Sequence, residues 1–480
     1  MHKGIIFNIS NEGFANRIPG AHRIATELRN HNWDIEVIDF VQWWTPDELT
    51  RLLNSRIDND TKFIGFSSVF SAWNDCAEMI CMWVKERYPD IKVLYGSGTF
   101  KTLKTKLVDY YMVGYSDVEI LNLLKYLFSN GEAIPHNVIK GTKVIKSSGA
   151  APWKNPLIIY EDRDFIESYE WLGIEFSRGC KFACAYCNFP HIGVKGDWTR
   201  DSDNVEYQLK DAYDRFGTTR YMVSDETFND SVEKITKFAN VVDTLNFEPF
   251  FTGFLRADLA INRGVREWEE LSRMKFYGHF YGIETFNYKT GKAIGKGMDP
   301  EKVKQGLIDI KNYFRTHNDN YYRGTIALVA GLPYDTEENV YSNYEWLKEN
   351  WNGESYLFNV LDIPPKEIYE SLNGDSKITL DFEKFGYSKI AETSDMSTMM
   401  SRDTNIIWKN EHTDFYRMFD IVEKIYDDIR GYDFKFNNWE IAFANLDIGL
   451  TELLNCSQNA DTNSARTSLV RNYIDKKLNI

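Results

Sequence analysis

The sequence has little cysteine, no long apolar run and a deficit of positive charge. Its 480 residues include six cysteines, too few for a disulfide framework in so long a chain, so a reducing compartment is the expected environment. No apolar run reaches the ~18 residues of a membrane span, which predicts a protein without a membrane partner. The first residues lack a long apolar region and a cleavage site, so we expect no signal peptide and a cytoplasmic location.

The deficit of positive charge bears on the choice of partner. The chain carries 56 Lys and Arg against 71 Asp and Glu, for a net charge of -15. A nucleic-acid partner is disfavoured, because phosphate contacts need concentrated positive charge. We therefore expect the substrate to be a peptide or a small molecule. The hydrophobic share of 43% suffices for ordinary buried cores, and the length fits about three domains of ~150 residues.

Residues 1–130 alternate short β-branched runs with amphipathic segments. This alternation predicts an α/β domain with a doubly wound, Rossmann-like parallel sheet. In such sheets ligands bind beyond the carboxyl ends of the strands, here in the loops that start at Ser10, Ser67 and Gly96. The predicted strands lie at 4–9, 34–39, 63–67, 92–96 and 110–114, and the clearest helical patterns lie at 21–30 and 75–87.

The rest of the chain divides into three predicted parts. Residues 131–170 are predicted to be a linker with a small hairpin about Gly141, because the chain from Ser129 to Pro156 is richer in Gly, Ser, Pro and Lys. Over residues 171–365 the strand and helix alternation resumes with six strands, which predicts a partial (β/α)6 barrel rather than a closed ring of eight. Residues 366–480 form a mainly helical C-terminal segment without a recognisable motif, with helical patterns at 414–429 and 439–453.

Three of the six cysteines stand within eight residues, directly after an apolar run. They are Cys180, Cys184 and Cys187, and the run at 172–176 predicts a short strand that leads into a tight thiol loop. Three thiolates can bind iron or zinc, but they are one short of the four ligands of a closed structural site. The missing ligand leaves one position for a molecule that comes and goes. The alternative is a zinc knuckle that His191 completes.

This spacing resembles the Cys-x-x-x-Cys-x-Φ-Cys motif of the radical S-adenosylmethionine (SAM) superfamily, in which Φ is aromatic and is here Tyr186. The resemblance implies a [4Fe-4S] cluster on the three thiolates, with S-adenosylmethionine chelated to the open iron through its amino and carboxylate groups. It also implies that an electron, supplied by a reducing partner of the flavodoxin or ferredoxin type, cleaves S-adenosylmethionine to a 5'-deoxyadenosyl radical. The protein would then be an enzyme that modifies an unactivated C-H position.

A second match follows the second predicted barrel strand. The segment Ser224–Phe228 stands where the family usually has a Gly-Gly-Glu-like motif that receives the methionine ammonium. Asp225 and Glu226 are the candidate ligands there, since acidic side chains suit a cationic group. For Asp225 the alternative is the N-cap of a helix with an acidic first turn.

The next strand ends supply further candidates. Arg256 can pair with the methionine carboxylate, and Glu284 can accept hydrogen bonds from the ribose hydroxyls. Glu284 lies in a Gly-Ile-Glu-Thr run similar to the Gly-Ile-Glu-Ser signature of cobalamin-associated branches. The alternative is that these two residues pair with each other inside the barrel mouth. Gly331 begins a Gly-Leu-Pro run like that of the same branches, and it would let the loop pass near the adenine.

The N-terminal pattern resembles the cobalamin-binding domain that precedes the catalytic domain in one large class of these enzymes. The similarity lies in strand order, in Gly96–Gly98 and in the turn Val113–Glu119. The Asp-x-His-x-x-Gly motif that supplies a lower axial histidine to cobalt is missing from the loop Ser10–Gly20. His22 and His31 fall at unsuitable places and are interpreted as ordinary surface or helix residues. Either cobalamin binds without a histidine ligand, or the domain contributes only packing or substrate contacts.

The reaction depends on that choice. Bound cobalamin would imply methylation of the substrate, whereas its absence would imply epimerisation, dehydrogenation or rearrangement. In the second case Cys456 is either a hydrogen-atom donor or an ordinary buried cysteine. A different class of function is a non-catalytic metal-binding protein that uses the barrel to bind a partner. Only the enzyme would yield 5'-deoxyadenosine from S-adenosylmethionine when reduced.

Overall fold

The described residues are organised around two large sheets, one of them mainly parallel and the other wholly parallel. The computed structural model describes residues 2–9, 17–68, 75–97, 106–139, 141–147, 157–187, 198–318, 322–351, 353–363, 376–393, 405–430 and 460–480. The first sheet has seven strands in the order β2-β1-β3-β4-β5-β7-β6, and the second has six in the order β15-β14-β13-β12-β11-β8. The strands are β1 (His2–Ile9), β2 (Trp33–Ile38), β3 (Thr61–Ser68), β4 (Lys92–Ser97), β5 (Tyr110–Val113), β6 (Asn137–Ile139), β7 (Thr142–Lys146), β8 (Trp171–Ile174), β9 (Ser177–Arg178), β10 (Trp198–Thr199), β11 (Arg220–Val223), β12 (Phe250–Leu255), β13 (Phe276–Glu284), β14 (Arg323–Ala330), β15 (Ser355–Val360), β16 (Ser388–Thr393) and β17 (Asn405–Lys409).

Helices connect these strands. The helix Pro46–Arg56 begins with a reciprocal capping box formed by Thr45 and Glu48. The α-helices are Pro19–Arg29, Pro46–Arg56, Asp75–Arg87, Asp117–Phe128, Ser202–Phe216, Val232–Val242, Ala257–Arg263, Val265–Arg273, Tyr288–Ile294, Pro300–His317, Glu337–Asn350, Lys377–Leu380, Phe415–Arg430 and Ala460–Leu478. Short 3-10 helices lie at Val41–Trp43, Asp162–Asp164, Phe228–Asp230 and Glu383–Phe385.

The first sheet is doubly wound because its strands are apolar on both faces. Phe7 packs into a core on one face with the helices Pro46–Arg56 and Asp75–Arg87. Ile6, the preceding residue of β1, packs into a separate core on the other face with Pro19–Arg29 and Asp117–Phe128. Successive side chains of a strand point to opposite faces, so a run apolar at every position needs cover on both. The predicted Rossmann-like sheet is confirmed.

The hairpin predicted about Gly141 forms, with Ile139 opposite Thr142, but it is part of the first sheet. β7 pairs in parallel with β5, and β6 continues beyond it as an edge strand. The segment that composition marks as a linker therefore begins by extending the N-terminal domain. Its pairing with β5 needs a long-range contact that the local sequence does not encode.

The second sheet contains the six strands that the sequence predicts for the partial barrel. All five neighbouring pairs are parallel, from β8 at one edge to β15 at the other. Helices follow the strands, and one large core joins both, with Phe251, Phe276 and Ile326 among its buried residues. Parallel strands direct their carboxyl ends to the same edge, so the loops after β8, β11, β12, β13 and β14 share one face.

The C-terminal segment does not form one separate unit. Residues 376–393 and 405–430, which include the antiparallel pair β16–β17 and the helix Phe415–Arg430, add Trp408 and Ile421 to the core of the barrel. The last helix, Ala460–Leu478, instead buries Val470, Tyr473 and Ile474 against the first sheet. The helix predicted near 439–453 lies outside the described residues.

A buried charge network fastens the first sheet to the chain that leads into the barrel. The Arg17 guanidinium pairs with Asp39 at 2.6 Å and with Glu170 at 2.7 Å, and all three side chains are inaccessible to solvent. His22 lies 3.0 Å from Asp39 and is also fully buried, so it is a structural residue of a helix and not a surface residue. The hydroxyl of Tyr473 accepts a hydrogen bond from the Asp39 amide at 2.9 Å, so the last helix is also part of this network.

The expected ligand loops of the first sheet fall mainly outside the described residues, which omit 10–16, 69–74 and 98–105. In the ranges that the structure does describe, no helix is long and apolar enough to cross a lipid bilayer.

Candidate active site

The three cysteines lie on the loop that follows the first barrel strand. After β8 the chain makes a short antiparallel bridge, in which Arg178 of β9 stands opposite Trp198 of β10. Gly179 then adopts φ +96°, a conformation that favours glycine, and turns the chain into Cys180. Cys180, Cys184 and Cys187 are half-buried. A strand therefore delivers the thiol loop, as the sequence predicts.

The thiol loop is held on its far side by two other elements. The amide of Ala185 donates to the carbonyl of Ile294, at the end of the helix Tyr288–Ile294, over 2.9 Å. The amide of Ile378 donates to the carbonyl of Ala185 over 3.0 Å. These bonds use both backbone groups of a residue next to Cys184. The loop is therefore fixed between a barrel helix and the C-terminal segment.

The thiols face the carboxyl ends of the neighbouring strands. The Cys180 Sγ lies 3.6 Å from the Thr227 Oγ1 after β11, and the Cys184 Sγ lies 3.6 Å from the Arg256 Nη1 after β12. Among the described residues, no three His, Cys, Asp or Glu side chains converge on a position for a single metal ion. A [4Fe-4S] cluster does not need such a point, because each thiolate binds a different iron. The donor set fits a cluster, and His191 of the zinc alternative lies outside the described residues.

Asp225 supports the segment that leads to the thiol loop. Its Oδ1 accepts a hydrogen bond from the Phe176 amide at 2.8 Å, and its Oδ2 accepts one from the Ser177 hydroxyl at 2.6 Å. The side chain is buried, and burial raises the pKa of the carboxyl to about 6 although Lys234 and these hydrogen bonds oppose the change. The N-cap alternative for Asp225 is wrong, since Ser231 caps the helix Val232–Val242.

Glu226 joins the thiol loop to the first sheet. Its Oε2 accepts a hydrogen bond at 3.0 Å from the amide of Gly179, the residue before Cys180. Its Oε1 accepts a short hydrogen bond from the hydroxyl of Tyr115, which stands in the turn after β5. Burial raises the pKa of Glu226 to about 7, and the Tyr115 hydrogen bond counteracts part of this effect. Both carboxylate oxygens thus have partners within the protein.

The turn after β5 makes a second contact with the same loop. Asp117 pairs with Arg178 and, at 3.1 Å, with Arg23 of the first sheet's own helix. The Arg178 guanidinium also lies over the Tyr115 ring, 4.3 Å from its centre. The carboxyl edge of the first sheet therefore contacts Arg178 directly and is linked to Gly179 through Glu226. Sequence reasoning missed Tyr115, because only the fold brings it to the barrel.

Arg256 lies against the thiol loop. It forms two hydrogen bonds with Asp258, at 2.9 Å and 2.7 Å, and its guanidinium stacks on the Phe182 ring at 3.8 Å. Burial alone would lower the pKa of this guanidinium, but the hydrogen bond and charge of Asp258 together with Cys184 raise it. The guanidinium is thus confined between the Asp258 carboxylate, the Phe182 ring and the Cys184 thiol.

Tyr186 and Glu284 meet each other. The Tyr186 hydroxyl donates to the Glu284 Oε1 at 2.7 Å, and Lys296 donates to the same oxygen at 2.9 Å. Burial, reinforced by the charge of Glu284, raises the pKa of Tyr186 well above its usual value. The predicted alternative of an Arg256–Glu284 pair is wrong, since Lys296 is the ionic partner of Glu284 and Asp258 that of Arg256. No motif marks Lys296 in the sequence.

Gly331 lies against the C-terminal segment. Its φ is +88°, and a Cβ added there would stand 2.3 Å from the buried indole of Trp408. The Tyr387 hydroxyl donates to the Gly331 carbonyl at 2.7 Å, and the Asp335 Oδ2 accepts from its amide at 3.1 Å. Burial raises the pKa of Asp335 to about 7. The packing of Trp408 accounts for a glycine at this position.

The barrel region of the chain matches a known protein family. Residues 174–347 match the profile of the Radical SAM superfamily. A curated relative, the anaerobic magnesium-protoporphyrin IX monomethyl ester cyclase of Synechocystis sp., is 23% identical over 266 residues. That alignment covers 50% of each protein, so the chain spans about half the length of this relative.

Solved structures extend the likeness to the first sheet. The radical S-adenosylmethionine methyltransferase TsrM from Kitasatospora setae, with cobalamin and a [4Fe-4S] cluster bound, matches with a TM-score of 0.65 at 10% identity. This match covers 95% of the present chain and 99% of TsrM. The cobalamin-dependent S-adenosylmethionine radical enzyme OxsB matches with a TM-score of 0.55 at 13% identity, over 100% of this chain and 72% of OxsB. The predicted resemblance to the Radical SAM superfamily is therefore confirmed for residues 174–347. The chain as a whole has the fold of TsrM and OxsB.

Proposed function

We propose that the protein is a cobalamin-dependent radical SAM methyltransferase that acts on a peptide or a small molecule. Cys180, Cys184 and Cys187 would hold a [4Fe-4S] cluster, which when bound supplies the electron that cleaves S-adenosylmethionine. That electron would come from a reducing partner of the flavodoxin or ferredoxin type. The first sheet would bind cobalamin as the carrier of the methyl group, without a lower axial histidine from the loop Ser10–Gly20.

The observation that carries this proposal is the contact between the turn after β5 and the thiol loop. Ligands of doubly wound sheets bind at the carboxyl ends of the strands, and this turn belongs to that edge. Tyr115 of this turn reaches Glu226, and Asp117, the first residue of the helix that follows, reaches Arg178. Glu226 and Arg178 adjoin Gly179, the residue before Cys180. A cofactor on the first sheet would therefore face the cluster, and such an arrangement is what methyl transfer between two cofactors requires.

We propose different roles for the side chains at this site. We assign to Asp225 and Glu226 the positioning of the segment before Cys180, because that segment and Tyr115 already occupy their oxygens. This assignment replaces the ammonium-binding role that the sequence suggests. Tyr186 and Glu284 are the proposed contacts of S-adenosylmethionine, since Glu284 is a buried carboxylate on the same face as the thiols. Lys296 neutralises Glu284 and holds its orientation.

The first experiment tests the radical chemistry. Protein reconstituted with iron and sulfide without oxygen is reduced with dithionite and given S-adenosylmethionine, and we expect 5'-deoxyadenosine as a product. Cys184→Ala should lose cluster and product together. Cys76→Ala is the matched control, since Cys76 lies on a helix of the first sheet and should keep both. An intact cluster without 5'-deoxyadenosine would contradict the enzyme proposal.

The second experiment tests the cobalamin assignment. The protein is purified from cells supplied with cobalamin, and its visible absorbance and cobalt content are measured. About one corrinoid per chain is expected. Protein that makes 5'-deoxyadenosine but carries no corrinoid would exclude the methyltransferase and leave a cobalamin-free epimerase, dehydrogenase or rearrangement enzyme.

A further inference from the structure

We propose that Arg256 is a positioning residue that sets the reduction potential of the cluster through a hydrogen bond to the Cys184 sulfur. The inference rests on the proposed [4Fe-4S] cluster and concerns its electron affinity before S-adenosylmethionine binds. Its basis is the 3.6 Å distance between the Arg256 Nη1 and the Cys184 Sγ. The sequence suggests a different partner for Arg256, the carboxylate of methionine, and the two roles can be separated by experiment.

The guanidinium has little freedom to leave the sulfur. Asp258 binds its Nε and its Nη2 at 2.9 Å and 2.7 Å, so the third nitrogen, Nη1, is the one left facing Cys184. The nitrogens of a guanidinium are coplanar, so fixing two of them fixes the direction of the third. The ring of Phe182, two residues before Cys184, covers the guanidinium at 3.8 Å. The donor is therefore oriented towards the sulfur before any ligand binds.

The backbone of Arg256 is anchored as firmly as its side chain. Its amide donates to the Asn229 Oδ1 at 2.7 Å, and its carbonyl accepts from the Asn229 Nδ2 at 3.0 Å. Asn229 in turn donates to the buried carboxylate of Glu267 at 2.7 Å. This chain of hydrogen bonds runs through the core between the barrel helices. The position of Arg256 is thus set by the scaffold rather than by the thiol loop.

The expected effect on the cluster follows from charge. Reduction adds an electron that is shared with the cysteine sulfurs, and an N-H donor at a sulfur stabilises the reduced state more than the oxidised state. Arg256 is 8% exposed, so water screens the interaction little. Asp258 offsets part of the positive charge, which leaves the directed hydrogen bond as the main contribution. Arg256 should therefore make the cluster easier to reduce.

The test is a redox titration of the reconstituted protein, followed by electron paramagnetic resonance and carried out without S-adenosylmethionine. Arg256→Gln should lower the midpoint potential, and a tenfold fall in the reduction equilibrium constant would appear as a shift of about 59 mV for a one-electron couple. Arg256→Lys keeps the charge but loses the planar fork and should give a smaller shift in the same direction. Arg273→Gln, which changes an arginine on the outer face of the helix Val265–Arg273, is the matched control and should titrate as the wild type.

The outcomes separate the two roles of Arg256. Unchanged potentials in Arg256→Gln and Arg256→Lys, together with weaker binding of S-adenosylmethionine, would overturn the inference and favour the methionine carboxylate as partner. If Arg256→Gln assembles little cluster, the potential of Arg256→Lys decides in the same way. A wild-type protein that binds no iron would instead refute the proposed function and the inference with it.

Discussion

Replacement of Gly331 by alanine tests whether this glycine serves the packing of the C-terminal segment. The residue has φ +88°, and an added Cβ would lie 2.3 Å and 2.6 Å from two ring carbons of Trp408. Trp408 is fully buried, and its indole nitrogen donates to the carbonyl of Leu361 at 2.8 Å, so the ring cannot move without losing that bond. The substitution should therefore destabilise the barrel and its C-terminal cover.

Two contributions add to the cost. A left-handed backbone at a residue with a Cβ costs about 1–2 kcal/mol, and overpacking a tight core costs about 1–3 kcal/mol. Gly386 is the matched control, because it also has φ +88° but no atom lies within 4 Å of its added Cβ. Gly386→Ala should be destabilised by the backbone cost alone. Gly331→Ala should be destabilised by both costs, about 2–5 kcal/mol in total.

The assay compares the denaturant midpoints of the two variants and the wild type, followed by tryptophan fluorescence. The free energy of unfolding should be lower in Gly331→Ala than in Gly386→Ala by about 1–3 kcal/mol, the overpacking contribution. Trp408→Phe in the Gly331→Ala background removes the clashing ring atoms and should cost less than it does in the wild type. Equal midpoints for the two alanine variants would refute the packing argument.

Two further changes test how the parts of the chain are joined. Tyr473→Phe should lower the free energy of unfolding of the first sheet by about 1–3 kcal/mol, because it leaves the buried amide of Asp39 without an acceptor. Tyr126→Phe changes an exposed tyrosine and should be neutral in the same denaturation assay. Equal effects of the two substitutions would contradict the role of the last helix. Glu226→Gln should change the pH dependence of stability. The pKa of Glu226 is raised from 4.5 to about 7, so its contribution to stability is complete below pH ~4.5 and is lost as the pH rises through ~7. The wild type should therefore lose stability relative to Glu226→Gln between pH 5 and pH 8, by at most about 3 kcal/mol and by less where water screens the carboxylate. Thermal unfolding of both proteins at each pH measures this change. A stability difference between the two proteins that stays constant over this range would count against a raised pKa of Glu226.

The sequence predicted the strands well because their signal is local. A parallel strand covered by helices on both faces contains consecutive apolar residues, as β1 does at Ile5–Phe7 and β14 does at Ile326–Ala330. Such runs are visible without knowledge of their partners. The spacing of Cys180, Cys184 and Cys187 is local in the same sense, since one loop must present all three thiols to one cluster.

The partners of the motif residues were much less predictable. Asp225 and Glu226 suggested a cationic ligand, but their oxygens accept hydrogen bonds from the segment before Cys180 and from Tyr115, which is 111 residues from Glu226 in the chain. Glu284 suggested Arg256 as partner and has Lys296 instead. An acidic residue carries the same signal whether it binds a ligand or a backbone amide, so only the packed structure separates the two.

By itself, the sequence determined the two α/β domains, the thiol loop and its place after the first barrel strand, since apolar periodicity and residue spacing are properties of short segments. Only the tertiary structure decided what each of these touches. It joined the turn after β5 to the residues before Cys180, seated the last helix on the first sheet and placed Trp408 against Gly331. These contacts depend on how distant segments bury their surfaces together, and no local pattern records that choice.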